Sequence, residues 1–495
     1  MRGTNKKPTP RAAPSVIAAR LSAHVALEPQ ADGNMLATFN GYSFSLGAFS
    51  PAAAERAQRL RDGLPLASFS AGRSAVDKEI DLLVRQLARS GLLEYRFGPP
   101  KAGGDKIVIE PQTPDYWPQP AKLAAGERIV LSRFAYLRRR GGEMILESPR
   151  SAALFRIADP KIAAVLTSLV TPQTLGRLRR QEGFPGAELI ALLLDCGMLF
   201  RTEVGSEGLR ADEGDSNLVL WDFHDLLFHT HSTEGRQANP SGGLYPHADT
   251  MPPPPSVRAS WPGKAIDLQQ HLPPPSNTAS HALNLFRARH STRDFDDNDP
   301  ITIVELSQFL DNTARIKAHW ENRADLGDGS GPMIAYTVRP YPSAGSSYEL
   351  ELYVTVTNCK GVDRGFYHYD ADRHALVPIT AQPQDIEAQL ESAVMAMDAP
   401  NAPQVLITIA ARFDRVSWKY SSIAYSLVLK NVGVMMQTLY LMATDMGLGG
   451  CAIGNNNIDR FARMTGTEFH VEGPVGQFAL GRAWIEQESE TAPDG

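Results

Sequence analysis

Two proline runs set the first constraint on this chain. Pro252–Pro255 and Pro273–Pro275 hold the backbone in polyproline geometry, and Ser241-Gly242-Gly243 breaks any helix upstream of them. Neither a helix nor a sheet ladder runs through such a stretch, so residues 206–280 are predicted to be a connector with folded bodies on either side. A chain of 495 residues is long enough for about three domains, each with its own core. Its 43% hydrophobic and 21% charged residues exclude a fibrous, collagen-like or wholly disordered protein. With 49 basic against 55 acidic residues and a net charge of −6, charge gives no reason to expect a nucleic-acid partner.

Three cysteines, Cys196, Cys359 and Cys451, lie far apart with no metal-ligand spacing. A disulfide scaffold is not expected, and a reducing cytoplasm fits. The first residues carry Arg2, Lys6, Lys7, Arg11 and Arg20 without a following apolar core. Residues 1–21 are therefore expected to be a disordered basic tail, with a cleaved organellar transit peptide as the alternative. The most apolar stretch, Ile423 to Gly454, is interrupted by Lys430, Asp445 and a glycine cluster. It predicts a buried helix, not a membrane span.

Ahead of the connector the sequence reads as one unit written twice. Leu87-Ala-Arg-Ser-Gly-Leu-Leu93 resembles Leu193-Leu-Asp-Cys-Gly-Met-Leu199, and upstream of each stands a cap residue followed by proline, Ser50-Pro51 and Asp159-Pro160. Before those come β-prone runs, Ala37–Leu46 and Ile129–Leu146. Strands, a helix, a second helix ending at glycine and a closing strand make a winged-helix-like module, expected at 22–100 and again at 125–205. The second helices carry Lys78 and Arg85, or Glu188 and Asp195, so neither has a basic face for DNA. Arg138-Arg139-Arg140 suits a solvated hairpin end better than a phosphate contact. Within the connector, Trp221 to His231 is too aromatic to be a free linker and is expected to pack on a neighbouring surface. Its histidines His224, His229 and His231 lack an acidic or cysteine partner, and no metal is expected there.

From residue 281 the character changes. Thr302-Ile-Val-Glu305 is a capping box, strand-like runs follow at Ile334–Val338, Leu350–Thr357 and Gln404–Ala410, and long helices are predicted at Pro383–Met397 and Ser422–Met446. This is an α+β pattern, expected over 281–485, with an acidic tail at 486–495. Three segments suit an anionic, planar ligand. Arg289, Ser291 and Arg293 alternate, so an extended backbone aims guanidinium and hydroxyl donors to one side. Tyr341-Pro342-Ser343-Ala344-Gly345-Ser346 is a small-residue loop that lets a ring approach the backbone. Gly447 to Gly454 follows a long helix, the reverse of the order a dinucleotide-binding glycine motif needs, so a Rossmann site is excluded.

Taken in order, these segments resemble the FMN-dependent nitroreductase superfamily. Arg289-His290-Ser291-Thr292-Arg293 is similar to its flavin-phosphate motif, Pro342-Ser343-Ala344-Gly345 to its loop beside the isoalloxazine, and Gly449-Gly450-Cys451-Ala452-Ile453-Gly454 to its later flavin loop. Gly481-Arg482 resembles its closing phosphate-binding arginine. Gly365 to Asp370, the Trp221–His231 arm and Leu131 to Tyr136 narrow the resemblance to the SagB-type dehydrogenases of thiazole/oxazole-modified peptide biosynthesis. One departure stands out: that subgroup tends to run Arg-Tyr-Pro-Leu-Glu after the loop, where this chain has Ser347-Tyr348-Glu349-Leu350-Glu351.

The resemblance implies FMN, two-electron oxidation of a peptide azoline to an azole, and the pair Lys419-Tyr420 as catalytic base. An ammonium beside a phenol favours phenolate, which gives that pair a physical rationale. It also implies a homodimer with flavin at the subunit interface, a precursor peptide as substrate and a cyclodehydratase as partner. From the residues alone, Lys419 reads as an exposed lysine beside a packing aromatic, Arg415 and Asp414 as surface charges, and Cys451 as a small filler; the resemblance is what makes the Lys419–Tyr420 pair a base. Two alternatives stay open: an NAD(P)H-driven reductase of nitro compounds or quinones, and a flavin-stabilised scaffold of a synthetase complex.

Overall fold

The computed structural model describes residues 16–39, 42–98, 105–113, 116–202, 210–234, 236, 248–258, 262, 264–272, 280–327 and 329–484. The Ser241–Gly243 break, the Pro273–Pro275 run, most of the basic tail and the acidic tail lie outside them. The chain divides into two compact units, 1–238 and 239–495.

In the first unit one order of elements occurs twice. A strand (Val16–Leu21; Arg128–Leu131) is followed by a three-stranded meander (Val25–Pro29, Asn34–Phe39, Tyr42–Ala48; Tyr136–Arg140, Glu143–Glu147, Ala153–Ile157) and a helix (Pro51–Ala57; Pro160–Thr167). A two-residue strand, a longer helix (Ala75–Arg89; Ala187–Asp195) and a closing strand (Leu93–Gly98; Leu199–Thr202) complete each copy. In both copies the first strand lies antiparallel between the short strand and the closing one. The local chemistry repeats too. Ser50 and Asp159 cap the helix starts, accepting from Ala53 N at 3.3 Å and Lys161 N at 3.0 Å. Gly91 and Gly197 take φ of 66° and 67°, and the next residue's N–H reaches back to Leu87 O at 3.0 Å and Leu193 O at 2.9 Å.

Strand Val16–Leu21 lies in the part expected to be tail. Its inward residues Ala19 and Leu21 are buried, and it pairs along its whole length with Leu93–Gly98. That partner is too far along the chain for a local signal to show it. Through Ile107–Pro111 the first copy's sheet continues into the second copy's meander, giving seven strands and one contiguous core. The arm also belongs to this unit. Helix Phe223–His231 sets Phe223 edge-on to Tyr136 at 5.5 Å, and Trp221 stacks on the buried His229 at 5.8 Å. Arg133 donates to Trp221 O at 3.2 Å. The arm histidines diverge: His229 faces inward, while His224 is exposed beside Asp222.

The second unit is built on a six-stranded antiparallel sheet. Its order is Ala375–Ile379, Gly365–Asp370, Leu350–Val356, Val405–Arg412, Glu472–Gly481 and Gly449–Ile453. The central strand Val405–Arg412 is buried through Ala411, as its continuous apolar run requires. Helix Ala424–Asp445 packs on the sheet with Val428, Val432, Met435, Leu439 and Ala443 inward, the 3.6-residue spacing of one face. The capping box forms as predicted: Thr302 Oγ1 accepts from Glu305 N at 3.2 Å and Glu305 Oε2 from Thr302 N at 2.9 Å. A separate two-stranded hairpin, Ala318–Arg323 with Met333–Val338, stands outside this sheet. Among the described residues no helix is long and apolar enough to cross a membrane.

Candidate active site

The long helix Ala424–Asp445 organises the predicted segments, and it does so at two separate places. At its C-terminal end, Tyr440 gathers the arginine segment and the glycine segment. Its hydroxyl lies 2.8 Å from Ser291 Oγ and accepts from Ala452 N at 2.8 Å, while the Arg289 guanidinium sits 5.1 Å from its ring centroid. Thr292 N donates to Gly450 O at 2.9 Å. Arg289 is half-buried and Arg293 exposed. Among the described residues no carboxylate pairs with either. Two cations and a hydroxyl left without acids suit a phosphate. His290 turns away, its Nδ1 3.0 Å from Ala288 O in solvent.

The glycine segment differs from the loop expected of it. Gly449–Ile453 is the edge strand, in register with Gln477–Gly481. A Cβ on Gly449 would lie 2.6 Å from Thr292 Cγ2, and one on Gly450 2.5 Å from Phe478 Cζ. These glycines therefore let the chain's own segments approach one another. Cys451 and Ile453 face inward, and Gly454 is exposed where the strand ends. Burial pushes the Cys451 thiol up, opposed by Arg293 and by hydrogen bonds with Tyr440 and Ser291. A buried thiol held neutral is a packing group.

Arg482 goes elsewhere. Its Nη2 meets Glu305 Oε1 at 2.7 Å and its Nε lies 3.1 Å from Asp299 Oδ2, so its charge is already balanced within the chain. Glu305 sits below the usual carboxylate range: hydrogen bonds from Arg482 and Thr302 outweigh the opposing effect of burial. Sequence reasoning had no means of seeing these acids, because they stand 177 and 183 positions away.

Near the other end of the helix, Asn431 holds the small-residue loop. Asn431 Oδ1 accepts from Ala344 N at 3.1 Å, and its Nδ2 donates to Glu349 Oε1 at 2.8 Å and to Ser343 Oγ at 3.2 Å. Ser343 Oγ also accepts from Tyr348 N at 3.0 Å and donates to Glu349 Oε2 at 3.2 Å. Glu349 is fully buried, and burial raises its carboxyl. Glu349, one of the two positions (347 and 349) at which this chain departs from the SagB-type run, is thus the floor of the loop. The role of Asn431 and Glu349 escaped the sequence reading; the departure over Ser347–Glu351 was the available signal for the second of them. Above that floor Gly345 (φ 57°), Ser346 (φ 55°) and Tyr348 (φ 44°) adopt left-handed backbone, which turns Pro342 and Gly345 outward.

Lys419 and Tyr420 meet this loop from across the site. Lys419 Nζ donates to Gly345 O at 3.1 Å and lies 5.7 and 5.6 Å from the ring centroids of Tyr336 and Tyr420. A Cβ built on Gly345 would come within 2.3 Å of the Tyr420 hydroxyl and 2.9 Å of Lys419 Nζ. The pair and the loop are 74 positions apart in sequence and in contact in space. At an exposed, side-chain-free backbone turn, a phenolate favoured by a neighbouring ammonium can take a proton from a ring laid on that turn.

Among the described residues no hydrogen bond or ion pair joins the Pro342–Gly345 loop to the Arg289–Arg293 segment. Asn431 and Tyr440 are nine residues apart on one helix. At 3.6 residues per turn they point to opposite faces, about 14 Å apart along the axis.

The sequence pattern of the nitroreductase family matches residues 286–482, and that of the cyanobactin oxidase ThcOx matches residues 129–238. Together they agree with the SagB-type resemblance. A Methanocaldococcus jannaschii protein provisionally named a nitroreductase is 41% identical over 172 residues, 34% of this chain and 74% of that protein. A Ralstonia eutropha structure, also provisionally named a nitroreductase, aligns at 22% identity over 46% of this chain and 98% of its own, with a TM-score of 0.32. A chain of the Escherichia coli microcin synthetase McbBCD complex, solved with truncated pro-MccB17 bound, aligns at 18% identity over 57% and 100%, with a TM-score of 0.38.

Proposed function

Because this chain belongs to the nitroreductase family, we propose that it is an FMN-dependent dehydrogenase that oxidises thiazolines or oxazolines in a ribosomally made peptide to the aromatic azoles. The observation that carries this reading is the contact of Lys419 and Tyr420 with the Gly345 turn, together with the cyanobactin-oxidase pattern over 129–238. FMN supplies a two-electron acceptor when bound, with molecular oxygen as the reoxidant.

In this reading Arg289, Ser291 and Arg293 hold the phosphate, with Cys451, Ile453 and the glycines of the edge strand packing beneath them. The Pro342–Gly345 turn presents backbone to the ring system. Lys419 and Tyr420 take the proton that leaves the azoline ring carbon. Arg482, already paired with Glu305 and Asp299, ties the end of strand Glu472–Gly481 to helix Ile303–Thr313 in this reading and is not assigned as a phosphate ligand. The opposite-face arrangement of Asn431 and Tyr440 supports a homodimer in which one subunit's phosphate segment serves the other's loop. The doubled N-terminal modules, read as winged-helix-like, and the Trp221–His231 arm are the proposed docking surfaces for the precursor peptide and a cyclodehydratase, in the cytoplasm.

The test is turnover of a synthetic peptide carrying one thiazoline, followed as loss of two hydrogens by mass spectrometry. Wild type is expected to convert it aerobically without nicotinamide, while Lys419→Ala and Tyr420→Phe bind flavin and do not. Normal rates in either variant would remove the base assignment. A second reading, an NAD(P)H-driven reductase, is favoured by the 41% identical relative. Rapid anaerobic bleaching of the flavin by NADH or NADPH would select it.

A further inference from the structure

Arg415 has the look of a surface charge in the sequence, and the structure gives it a different environment. It stands on the one-turn helix Asp414–Ser417, half-buried, and among the described residues no carboxylate pairs with it. All of its bonds go to backbone carbonyls. Nε and Nη2 donate to Ser347 O at 3.2 and 3.1 Å, and Nη2 donates to Ala335 O at 3.3 Å. Ser347 closes the small-residue loop, and Ala335 lies on the exposed hairpin. Three segments that share no strand pairing are thereby tied at one point. An ordinary surface arginine gains little from such an arrangement, since a carbonyl offers half a charge-assisted pair.

The residues beside these two carbonyls are the ones that hold Lys419. Gly345, two positions before Ser347, accepts from Nζ, and Tyr336, next to Ala335, lays its ring under it. Tyr336 is itself backed by Trp320, stacked at 4.2 Å and 13° directly across the hairpin. Lys419 follows Arg415 by four positions, so both project from the same side of the turn. A hairpin of two strands has little stability of its own, and without a tie its position would drift.

We infer that Arg415 is a positioning residue for the Lys419–Tyr420 pair: it fastens the hairpin and the loop into the cradle that fixes where the ammonium sits. Nη2 bridges the two carbonyls while Nε adds a second bond to Ser347 O; a lysine ammonium has no second nitrogen to hold that paired, planar contact. The inference rests on the reading of Lys419 and Tyr420 as the base.

The test uses full-length protein with its flavin and the single-thiazoline peptide. Arg415→Lys and Arg415→Ala are expected to lose about 10- to 100-fold in kcat, since misplacement of about 1 Å costs that order. KM is expected to stay within about two-fold, flavin content to be retained, and the pH profile of kcat to move, because the Lys419 contact with Gly345 O is loosened. Added guanidinium should partly restore Arg415→Ala. If that variant does not fold, Tyr336→Phe against Tyr336→Leu decides: the first is expected to keep the rate and the second to lower it.

Unchanged kcat in both Arg415 variants, or a fall with neither rescue nor a moved pH profile, would overturn the inference, as would equal rates in the two Tyr336 variants. Lys419→Ala run in parallel separates the two levels. If it turns over normally the base assignment has failed; if it is dead while the Arg415 variants are active, only the positioning role has.

Discussion

Gly345→Ala separates folding from catalysis at one methyl group. The new Cβ would lie 2.3 Å from the Tyr420 hydroxyl and 2.9 Å from Lys419 Nζ. An ordinary carbon–oxygen approach is about 3.3 Å, so the hydroxyl must retreat by about 1 Å. Both clashing atoms are the ends of side chains that can swing outward, so the fold is little affected by the crowding. Holding alanine at φ 57° adds about 1 kcal/mol of backbone cost, a fall of about 2–4 °C in Tm for a domain of this size. Catalysis is more sensitive. A shift of about 1 Å in a proton-transfer group costs about 100-fold. The assay is single-thiazoline turnover beside flavin absorbance and a thermal melt on the same preparation. A variant that melts close to wild type, keeps its flavin and loses about 100-fold in kcat meets the expectation. Turnover within about three-fold of wild type would refute it, because a base displaced by that distance cannot remain in line with its proton.

The other expectations can be checked with the same material. Arg293→Glu should weaken FMN binding by about 10- to 100-fold, the cost of a charge-assisted contact, with the melt of the apoprotein little changed; flavin titration measures it. Mixing Arg293→Glu subunits with Lys419→Ala subunits should restore activity toward about a quarter of wild type if the two ends of a site come from different chains, and restore none if they come from one. Burial raises the Glu349 carboxyl above its ordinary 4.5, so the folded state holds that proton more tightly than the unfolded. Its contribution to stability is full below the unfolded value and is lost as pH rises through the folded one. Melts of Glu349→Gln against wild type should therefore shift in favour of glutamine as pH rises above that ordinary value, and a constant difference would refute the sign. Thr302→Ala removes half of the capping box and should lower Tm by about 2–4 °C, about 1 kcal/mol.

The sequence alone determined the features whose causes lie within a few residues. Ser50-Pro51, Asp159-Pro160 and Thr302 to Glu305 announced helix starts, because a cap is a bond between neighbours. Pro383–Met397 matched residue for residue, and the long helix came within two residues at its start. The doubling of the N-terminal unit was visible in its two glycine-ended helices. Tertiary structure decided what depends on distant partners. It alone drew residues 16–21 into a sheet, joined the two modules through Ile107–Pro111, and made an edge strand of Gly449–Ile453. It gave Arg482 to Glu305, turned Arg415 from a surface charge into a tie between two segments, and put the anchors of the Pro342–Gly345 loop and the Arg289–Arg293 segment on opposite faces of one helix. A side chain's type records which bonds it is able to make. Which of those bonds it makes is set by what the fold carries to within about 3 Å of it, from anywhere in the chain.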